Sequence, residues 1–300
     1  MLDADSLIKN VTNAVVTRES TVRLLAVSLL AGGHLLLRDL PGVGKTLLAR
    51  SLARSILGSF KRIQFTADLL PSDVTGSAVF RQAEGRFDFV PGPVFANILM
   101  ADEINRASPR TQSALLEAMA EGHVTVDGQK HPLPDPFWVV ATQNDLDEYG
   151  AFPLPRAQMD RFMMVLGLGY PDLAGQVQIL ERNQRGDPTV DPVLTTDRLK
   201  EMQQEVKAVQ VAPLLREYIA RLVVSTHSHP GLELGVSPRG AVHLQRASQA
   251  WAALDGSPFV LPEHVRHVAP LVLQHRLLPK SSASSQEVIE DILTSTPVPL

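Results

Sequence analysis

The stretch "LLLRDLPGVGKTLLARSLA", from Leu35 to Ala53, decides how the rest of the chain is interpreted. It nearly matches the phosphate-binding loop G-x-x-x-x-G-K-[ST], with Gly44, Lys45 and Thr46 in the expected places. The first glycine of that pattern falls on Asp39. An apolar run precedes the glycines and a helical pattern follows them, which is the strand–turn–helix context that a phosphate-binding loop requires.

The chemistry of this loop favours a nucleotide phosphate. Glycines let backbone N–H groups turn towards phosphate oxygens, and the start of a helix adds a partial positive charge. Lys45 would reach the β- and γ-phosphates, and the Thr46 hydroxyl would hold Mg²⁺. The predicted nucleotide-binding residues are Pro41, Gly42, Val43, Gly44, Lys45, Thr46 and Leu47. An ordinary Pro-Gly turn before an amphipathic helix would account for the same residues, so the loop alone leaves both interpretations open.

A second motif, "NILMADEINRA", runs from a buried-strand pattern into Asp102 and Glu103. Carboxylates at the carboxyl end of a parallel strand lie where open α/β sheets bind ligands. Asp102 can coordinate the magnesium ion through water, and Glu103 can polarise the attacking water as general base. A solvated acidic turn is the alternative, but it does not explain why the same chain carries the glycine loop upstream.

Three further side chains are candidates for the reaction. Asn144 ends the apolar run "FWVVATQN", where its amide could orient the attacking water. Arg161 and Arg239 could stabilise the negative charge that develops in phosphoryl transfer. On the residues alone, a surface ion pair is the simpler interpretation of either arginine.

Hydrophobic patterning predicts an α/β domain followed by a smaller helical one. Apolar runs at 34–38, 62–65, 97–101, 137–141 and 162–166 indicate buried strands, and helical patterns alternate with some of them. Alternating segments around glycine turns predict hairpins at 78–90 and 123–133. Beyond residue 171 helical patterns follow one another, at 195–209, 213–228, 237–254 and 262–271. The predicted domains are therefore 1–171 and 172–300.

Composition narrows the class of protein. The 300 residues are 44% hydrophobic and 20% charged, with a formal net charge of −4 and no cysteine. This composition favours a folded core, excludes disulfide and thiolate chemistry, and gives no overall attraction to nucleic acid or acidic lipid. The N-terminus lacks a secretory pattern, and no apolar run reaches the length of a membrane span. We expect a cytoplasmic protein.

Five ordered blocks of the sequence resemble the AAA+ ATPase superfamily and, within it, the MoxR family. They are "AGGHLLLRDLPGVGKTLLARSLA", "RIQFTADLLPSDVTG", "GPVFANILMADEINRASPRTQSALLEAMAEGHVTVDG", "ATQNDLDEYGAFPLPRAQMDRF" and "GVSPRGAVHLQRASQAWA". The resemblance implies a P-loop AAA+ αβα sandwich with a parallel five-stranded sheet and a small helical lid. It also implies Mg-dependent ATP hydrolysis, and in MoxR loops an acid commonly stands where Asp39 stands here.

The resemblance assigns a role to each candidate residue. Lys45 and Thr46 correspond to Walker A, and Asp102 and Glu103 to Walker B. Asn144 corresponds to sensor 1 and Arg239 to sensor 2 of the lid. Arg161 corresponds to an arginine finger that acts on the neighbouring subunit, which implies a ring homo-oligomer, usually a hexamer. The two hairpins resemble the helix-2 insert and the pre-sensor-1 hairpin, which face the pore in related rings.

The family's activity implies a chaperone-like function. Such a protein would remodel or mature a protein client, or assist metal or cofactor insertion, often with a partner that carries a von Willebrand factor A domain.

The sequence departs from the MoxR pattern in two places. Thr17 and Arg18 stand where Gly-Gln is usual near the adenine pocket, and Arg156 stands where an acid is common, so it could rival Arg161 as the finger.

Two other functions are compatible with parts of the sequence. A nucleic-acid motor would need basic or aromatic residues in the hairpins, and the second hairpin offers only Lys130 and two histidines. A nucleotide-bound scaffold would assemble without hydrolysis, and the presence of Glu103 argues against it.

Overall fold

The computed structural model describes residues 4–40, 42–144, 151–185, 190–280 and 283–299. Of the residues predicted to bind nucleotide, Pro41 lies outside these ranges. None of the helices within them is both long and apolar enough to cross a membrane.

The N-terminal part of the chain alternates helices with strands. Its helices are α1 (Asp5–Ala14), α2 (Glu19–Leu30), α3 (Lys45–Arg54), α4 (Pro71–Thr75), α5 (Pro109–Glu121) and α6 (Arg156–Met159). Its strands are β1 (Leu35–Asp39), β2 (Ile56–Leu57), β3 (Phe60–Gln64), β4 (Gly76–Arg81), β5 (Arg86–Pro91), β6 (Ile98–Asp102), β7 (His123–Val126), β8 (Gln129–Pro132), β9 (Trp138–Asn144) and β10 (Met164–Leu166).

The rest of the chain is mostly helical. It contains α7 (Leu173–Arg185), α8 (Thr196–Ala208), α9 (Pro213–Ser228), α10 (Pro238–Leu254), α11 (Pro262–Leu273) and α12 (Ser285–Ser295). Three short strands accompany these helices: β11 (Leu194–Thr195), β12 (Leu232–Leu234) and β13 (Leu278–Pro279).

Five strands form one parallel sheet in the order β10-β1-β9-β6-β3. Strand β6 is buried along its whole length, as is the apolar half of β1, because helices cover both faces of such a sheet. The predicted α/β fold with a parallel five-stranded sheet is confirmed. The observed strand ends differ from the predicted ranges by up to three residues.

The carboxyl ends of these strands meet at one edge of the sheet. Gln64 of β3 is in register with Asp102 of β6, and Asp39 of β1 is in register with Asn144 of β9. The glycine loop leaves β1 at the same edge. The topology therefore brings the strand-borne candidates together where parallel sheets bind ligands.

Both predicted hairpins are present. Strands β4 and β5 pair with Phe80 opposite Phe87, and β7 pairs with β8 around the Asp127-Gly128 turn. The hairpins touch each other, since the Phe89 ring stacks on His131 with 3.8 Å between the ring centres.

The helical part begins with an element that the patterns above do not predict, α7. The predicted helix start at Ser237-Pro238 is confirmed, since the Ser237 hydroxyl accepts from the N–H of Gly240. Strand β11 pairs with β2, so the two parts share backbone hydrogen bonds. The division at 171/172 stays a prediction.

A buried arginine joins the two parts. Arg276 is 6% exposed and donates from Nε to Asp160 Oδ1 at 2.7 Å and from Nη2 to the carbonyl oxygen of Phe162 at 2.7 Å. Burial lowers the pKa of Arg276 to about 10, although the Asp160 carboxylate opposes that shift. Asp160 also accepts from the Ser237 hydroxyl at 2.9 Å, so one carboxylate holds α10 and Arg276 together.

Candidate nucleotide-binding site

The glycine loop has the backbone conformation that its glycines permit. Gly42 and Gly44 have φ angles of 80° and 91°, and Gly44 is the N-cap of α3. A Cβ atom at either position would meet nothing within 4 Å, so glycine is required for conformation rather than for space. The first N–H groups of α3 have no partner within the helix and can bind an anion.

Asp39 explains why the pattern's first glycine is dispensable. The residue is the last of strand β1 and does not have a positive φ. Its Oδ2 accepts from the backbone N–H of Leu168 at 2.5 Å and of Gly169 at 2.7 Å. The carboxylate thus ties the start of the loop to the segment that follows β10.

Lys45 lies between the ends of two strands. Its Nζ donates to the carbonyl oxygen of Asp39 at 2.6 Å and to that of Gln143 at 3.2 Å. These contacts fix the ammonium group at the first turn of α3, next to the loop, where a bound phosphate would meet it.

The structure brings Thr46 and Asp102 together as predicted. The Thr46 hydroxyl lies 3.4 Å from Asp102 Oδ2, and Asp102 is only 7% exposed. Two residues that the sequence analysis missed complete the surroundings of this carboxylate. The Thr142 hydroxyl donates to Oδ1 at 2.6 Å, and Arg62 Nη2 donates to Oδ2 at 2.6 Å.

Glu103 has an uncommon backbone conformation, with φ at 55°. Such a left-handed conformation costs about 1–3 kcal/mol in a residue other than glycine and tends to occur at functional sites. Its N–H donates to the Thr142 hydroxyl at 2.8 Å. Its Oε2 accepts from Gln64 Nε2 at 2.9 Å and pairs with Arg106 Nε at 3.2 Å. Gln64 and Arg106 were also missed: both lie in stretches quoted above, but the sequence does not show which side chains contact the Glu103 carboxylate.

Asn144 is the last residue of β9 and is buried beside this group. Its carbonyl oxygen accepts from Asn105 Nδ2 at 3.3 Å. Lys45, Thr46, Asp102, Glu103 and Asn144 therefore form a strand-end group at one edge of the sheet.

The two candidate arginines lie apart from the strand-end group. Arg161 donates to the carbonyl oxygen of Leu116 on α5, and Arg239 Nη1 lies 3.8 Å from Asp160 Oδ2. Within the described part of the chain, neither guanidinium is hydrogen-bonded or ion-paired to the strand-end group. The rival candidate, Arg156, donates to the carbonyl oxygen of Leu277 at 2.5 Å.

A cavity of about 610 Å³ adjoins the glycine loop. Thr17 and Arg18 lie in its wall, at the place where the sequence departs from the MoxR pattern. The wall also includes Gly42, Val43, Gly44 and Leu47 of the loop, residues 168–172, and much of α7. Arg182 of α7 carries a buried Nη1 without a hydrogen-bond partner among the described residues. A mostly apolar cavity with a few polar groups beside a phosphate loop suits a nucleoside.

Comparison with known proteins identifies the family of the chain. Residues 34–164 match the model of the ATPase family associated with various cellular activities (AAA), and residues 224–294 match the AAA lid domain. The chain is 43% identical to the Bacillus subtilis protein YeaC, over 98% of this chain and 94% of that one. It is 39% identical to Chaperone MoxR1 of Mycobacterium tuberculosis, over 94% of this chain and 78% of that one.

The chain belongs to the MoxR family of AAA+ ATPases. The crystal structure of a candidate ATPase from Cytophaga hutchinsonii matches this MoxR-family chain with a TM-score of 0.91 at 35% identity. The match covers 99% of this chain and 94% of the other. Like its relatives, this MoxR protein combines the AAA+ αβα sandwich with a helical lid.

Proposed function

We propose that this MoxR-family chain is a magnesium-dependent ATP phosphohydrolase that uses ATP to remodel or mature a protein client. The observation that carries the proposal is the convergence of the glycine loop with Asp102 and Glu103 at one sheet edge. Thr46 on α3 and Asp102 on β6 are 56 positions apart in the chain, yet their side-chain oxygens are 3.4 Å apart.

The residues present fit a magnesium ion bound with ATP. A hydroxyl and a carboxylate are the hard oxygen donors that Mg²⁺ prefers, and Thr46 and Asp102 supply one of each. Bound there, the ion would neutralise charge on the β- and γ-phosphates. Gly42 and Gly44 would give backbone N–H groups to the phosphates, and Lys45 would give its ammonium group.

Glu103 is the proposed general base, which takes a proton from the attacking water. Its carboxylate now contacts Gln64 and Arg106, so both partners would orient it. Asn144, at the end of the neighbouring strand, would hold the same water through its side chain. Together these groups position water and base rather than forming a covalent bond to phosphate.

The cavity beside the loop is the proposed site of the nucleoside. Val43 and Leu47 would form the loop side of this site. Thr17 and Arg18 would contribute the N-terminal side, so the selectivity for adenine would depend on those two residues.

The arginines are proposed to act when nucleotide and neighbouring subunits are present. Arg239 would leave Asp160 to contact phosphate from the lid, as sensor 2. Arg161, or Arg156 in its place, would reach the site of an adjacent subunit in a ring, which we propose to be a hexamer. An arginine supplied in this way raises the hydrolysis rate by roughly 10³–10⁵.

The first hairpin supports contact with a protein client. Phe80 and Phe87 face each other across its strands and are 52% and 70% exposed. The two rings are in contact, with 5.1 Å between their centres, and an exposed apolar patch of this kind could bind a protein client. The similarity to a relative named as a chaperone supports the same function. The proposed partner is a protein with a von Willebrand factor A domain. The proposed process is maturation of the client, including metal or cofactor insertion.

The test is a trapping experiment with two matched variants. Glu103→Gln should bind Mg·ATP but hydrolyse it slowly, so complexes with a client persist; Lys45→Ala should not bind it. Each tagged variant is expressed in the native host, purified in Mg·ATP, and the co-purifying proteins are identified by mass spectrometry. A specific protein held by Glu103→Gln and lost in Lys45→Ala supports the proposal. Identical sets of proteins in the two samples contradict it.

A further inference from the structure

The carboxylate of Asp102 accepts four hydrogen bonds. Oδ1 accepts from the Thr142 hydroxyl at 2.6 Å. Oδ2 accepts from Arg62 Nη2 at 2.6 Å, from Arg62 Nε at 3.2 Å and from the Thr46 hydroxyl at 3.4 Å. An ionised carboxylate offers about two lone-pair positions on each oxygen, so the three donors at Oδ2 engage that oxygen fully, whereas Oδ1 has a single donor.

The Thr46 hydroxyl lies beside Oδ2, so a metal ion held by both Thr46 and Asp102, directly or through a water molecule, needs a position on Oδ2. Thr142 is not among the donors to Oδ2, and it is fixed on Oδ1 because it is buried and also accepts from the N–H of Glu103 at 2.8 Å. Thr46 is itself a proposed ligand of the metal. Arg62 remains as the donor that can leave.

The position of Arg62 makes its departure feasible. It lies on β3, the last strand in the sheet order, and its side chain is 50% exposed. Its Nη2 also lies 3.0 Å from Gln64 Oε1, so a displaced guanidinium could keep one hydrogen bond or turn into solvent. A guanidinium and a divalent cation at the same oxygen also repel each other.

We infer that Arg62 is a counter-ion of Asp102 that competes with magnesium. The residue thereby sets the magnesium concentration at which the protein binds nucleotide. This is a positioning role rather than a catalytic one, and it rests on the proposed function. Its consequence is that hydrolysis responds to free magnesium through a residue outside the glycine loop and outside the Asp102–Glu103 motif.

The test measures binding rather than activity. Fluorescent N-methylanthraniloyl-ADP is held at fixed concentration with the full chain, and magnesium is titrated from an EDTA baseline. In Arg62→Gln the magnesium midpoint should fall about three- to tenfold, as expected for loss of a half-exposed charged hydrogen bond. Binding in EDTA should change less than about twofold. Arg62→Lys, which keeps the charge but not the fork of donors, should lie in between.

Lys61→Gln is the matched control. Lys61 is the exposed neighbour of Arg62 on β3 and points to the other face of the sheet, because side chains alternate along a strand. This variant removes the same charge and should leave the midpoint unchanged. Circular dichroism checks that each variant is folded. If Arg62→Gln does not fold, the magnesium midpoint of Arg62→Lys tests the inference instead.

The outcomes separate the inference from the proposed function. An unchanged or raised midpoint in Arg62→Gln, or an equal fall in Lys61→Gln, overturns the inference while leaving nucleotide binding intact. If the unaltered protein does not bind the probe at any magnesium concentration, the proposed function fails as well.

Discussion

The hydroxyl of Thr142 donates to Asp102 Oδ1 at 2.6 Å and accepts from the backbone N–H of Glu103 at 2.8 Å. One side chain on β9 therefore fixes both residues of the acidic pair at the end of β6. The left-handed backbone of Glu103 is held by the same contact.

Thr142→Val should weaken both stability and turnover. Valine has nearly the same shape but leaves Asp102 Oδ1 without its donor and the N–H of Glu103 without its acceptor, which costs about 1–3 kcal/mol of the free energy of unfolding. Loss of an orienting contact of this kind lowers activity by about 10–100-fold. Urea unfolding and phosphate release measure the two effects. Thr142→Ser keeps the hydroxyl and should retain most of the stability and most of the turnover. Equal losses of stability and turnover in Thr142→Ser and Thr142→Val would show that the methyl group, not the hydroxyl, matters.

Asp39→Gly restores the consensus glycine and should nevertheless destabilise the protein. The change removes the carboxylate that accepts from the N–H groups of Leu168 and Gly169, and it adds a flexible residue to a strand. We expect a loss of about 1–3 kcal/mol in the free energy of unfolding. Urea unfolding tests this, with Asp39→Asn as an intermediate that retains one acceptor oxygen. Full stability in Asp39→Gly would mean that Asp39 does not tie the loop to the segment after β10.

Arg182→Ala should weaken nucleotide binding. Arg182 lines the cavity beside the loop and has a buried nitrogen without a partner among the described residues. A hydrogen bond from this group to the nucleotide would be lost, which raises the dissociation constant about tenfold. Titration with a fluorescent ADP analogue gives the value. Gln184→Ala, an exposed change on the same helix, should bind normally; equal affinity in both variants excludes contact between Arg182 and the nucleotide.

Acidification should destabilise the fold through His34. Burial lowers the pKa of His34 from 6.5 to about 4. Between these values the unfolded chain binds a proton that the native protein does not, so stability falls as the pH falls. Between pH 7 and pH 5, His34 should lower the free energy of unfolding by about 2 kcal/mol. In urea unfolding, His34→Gln should lose less unfolding free energy between pH 7 and pH 5 than the unaltered protein, by that amount. The control His123→Gln should lose as much as the unaltered protein.

The sequence predicts the sheet and its ligand-binding edge because both depend on local patterns. Apolar runs locate the five strands, and parallel strands must end at one edge, so Asp102 and Asn144 lie at the same edge as the glycine loop that leads to Thr46. Arg62, Thr142 and Arg276 could not be predicted, since each acts through a partner far along the chain. In the sequence, Arg62 is only the first residue of a predicted buried strand, and Thr142 is one polar residue in an apolar run. Arg276 looks like a surface arginine, yet it is buried against Asp160.

The central claim is hydrolysis of ATP by the strand-end group. Its most direct test is phosphate release from Mg·ATP by the unaltered protein, Glu103→Gln and Lys45→Ala, each at a concentration high enough for assembly. We expect steady release by the unaltered protein and a loss of about 10²–10⁴-fold in Glu103→Gln, which still binds nucleotide. Lys45→Ala should neither bind nor release. Equal release by the unaltered protein and Glu103→Gln, or no release by either, would contradict the claim.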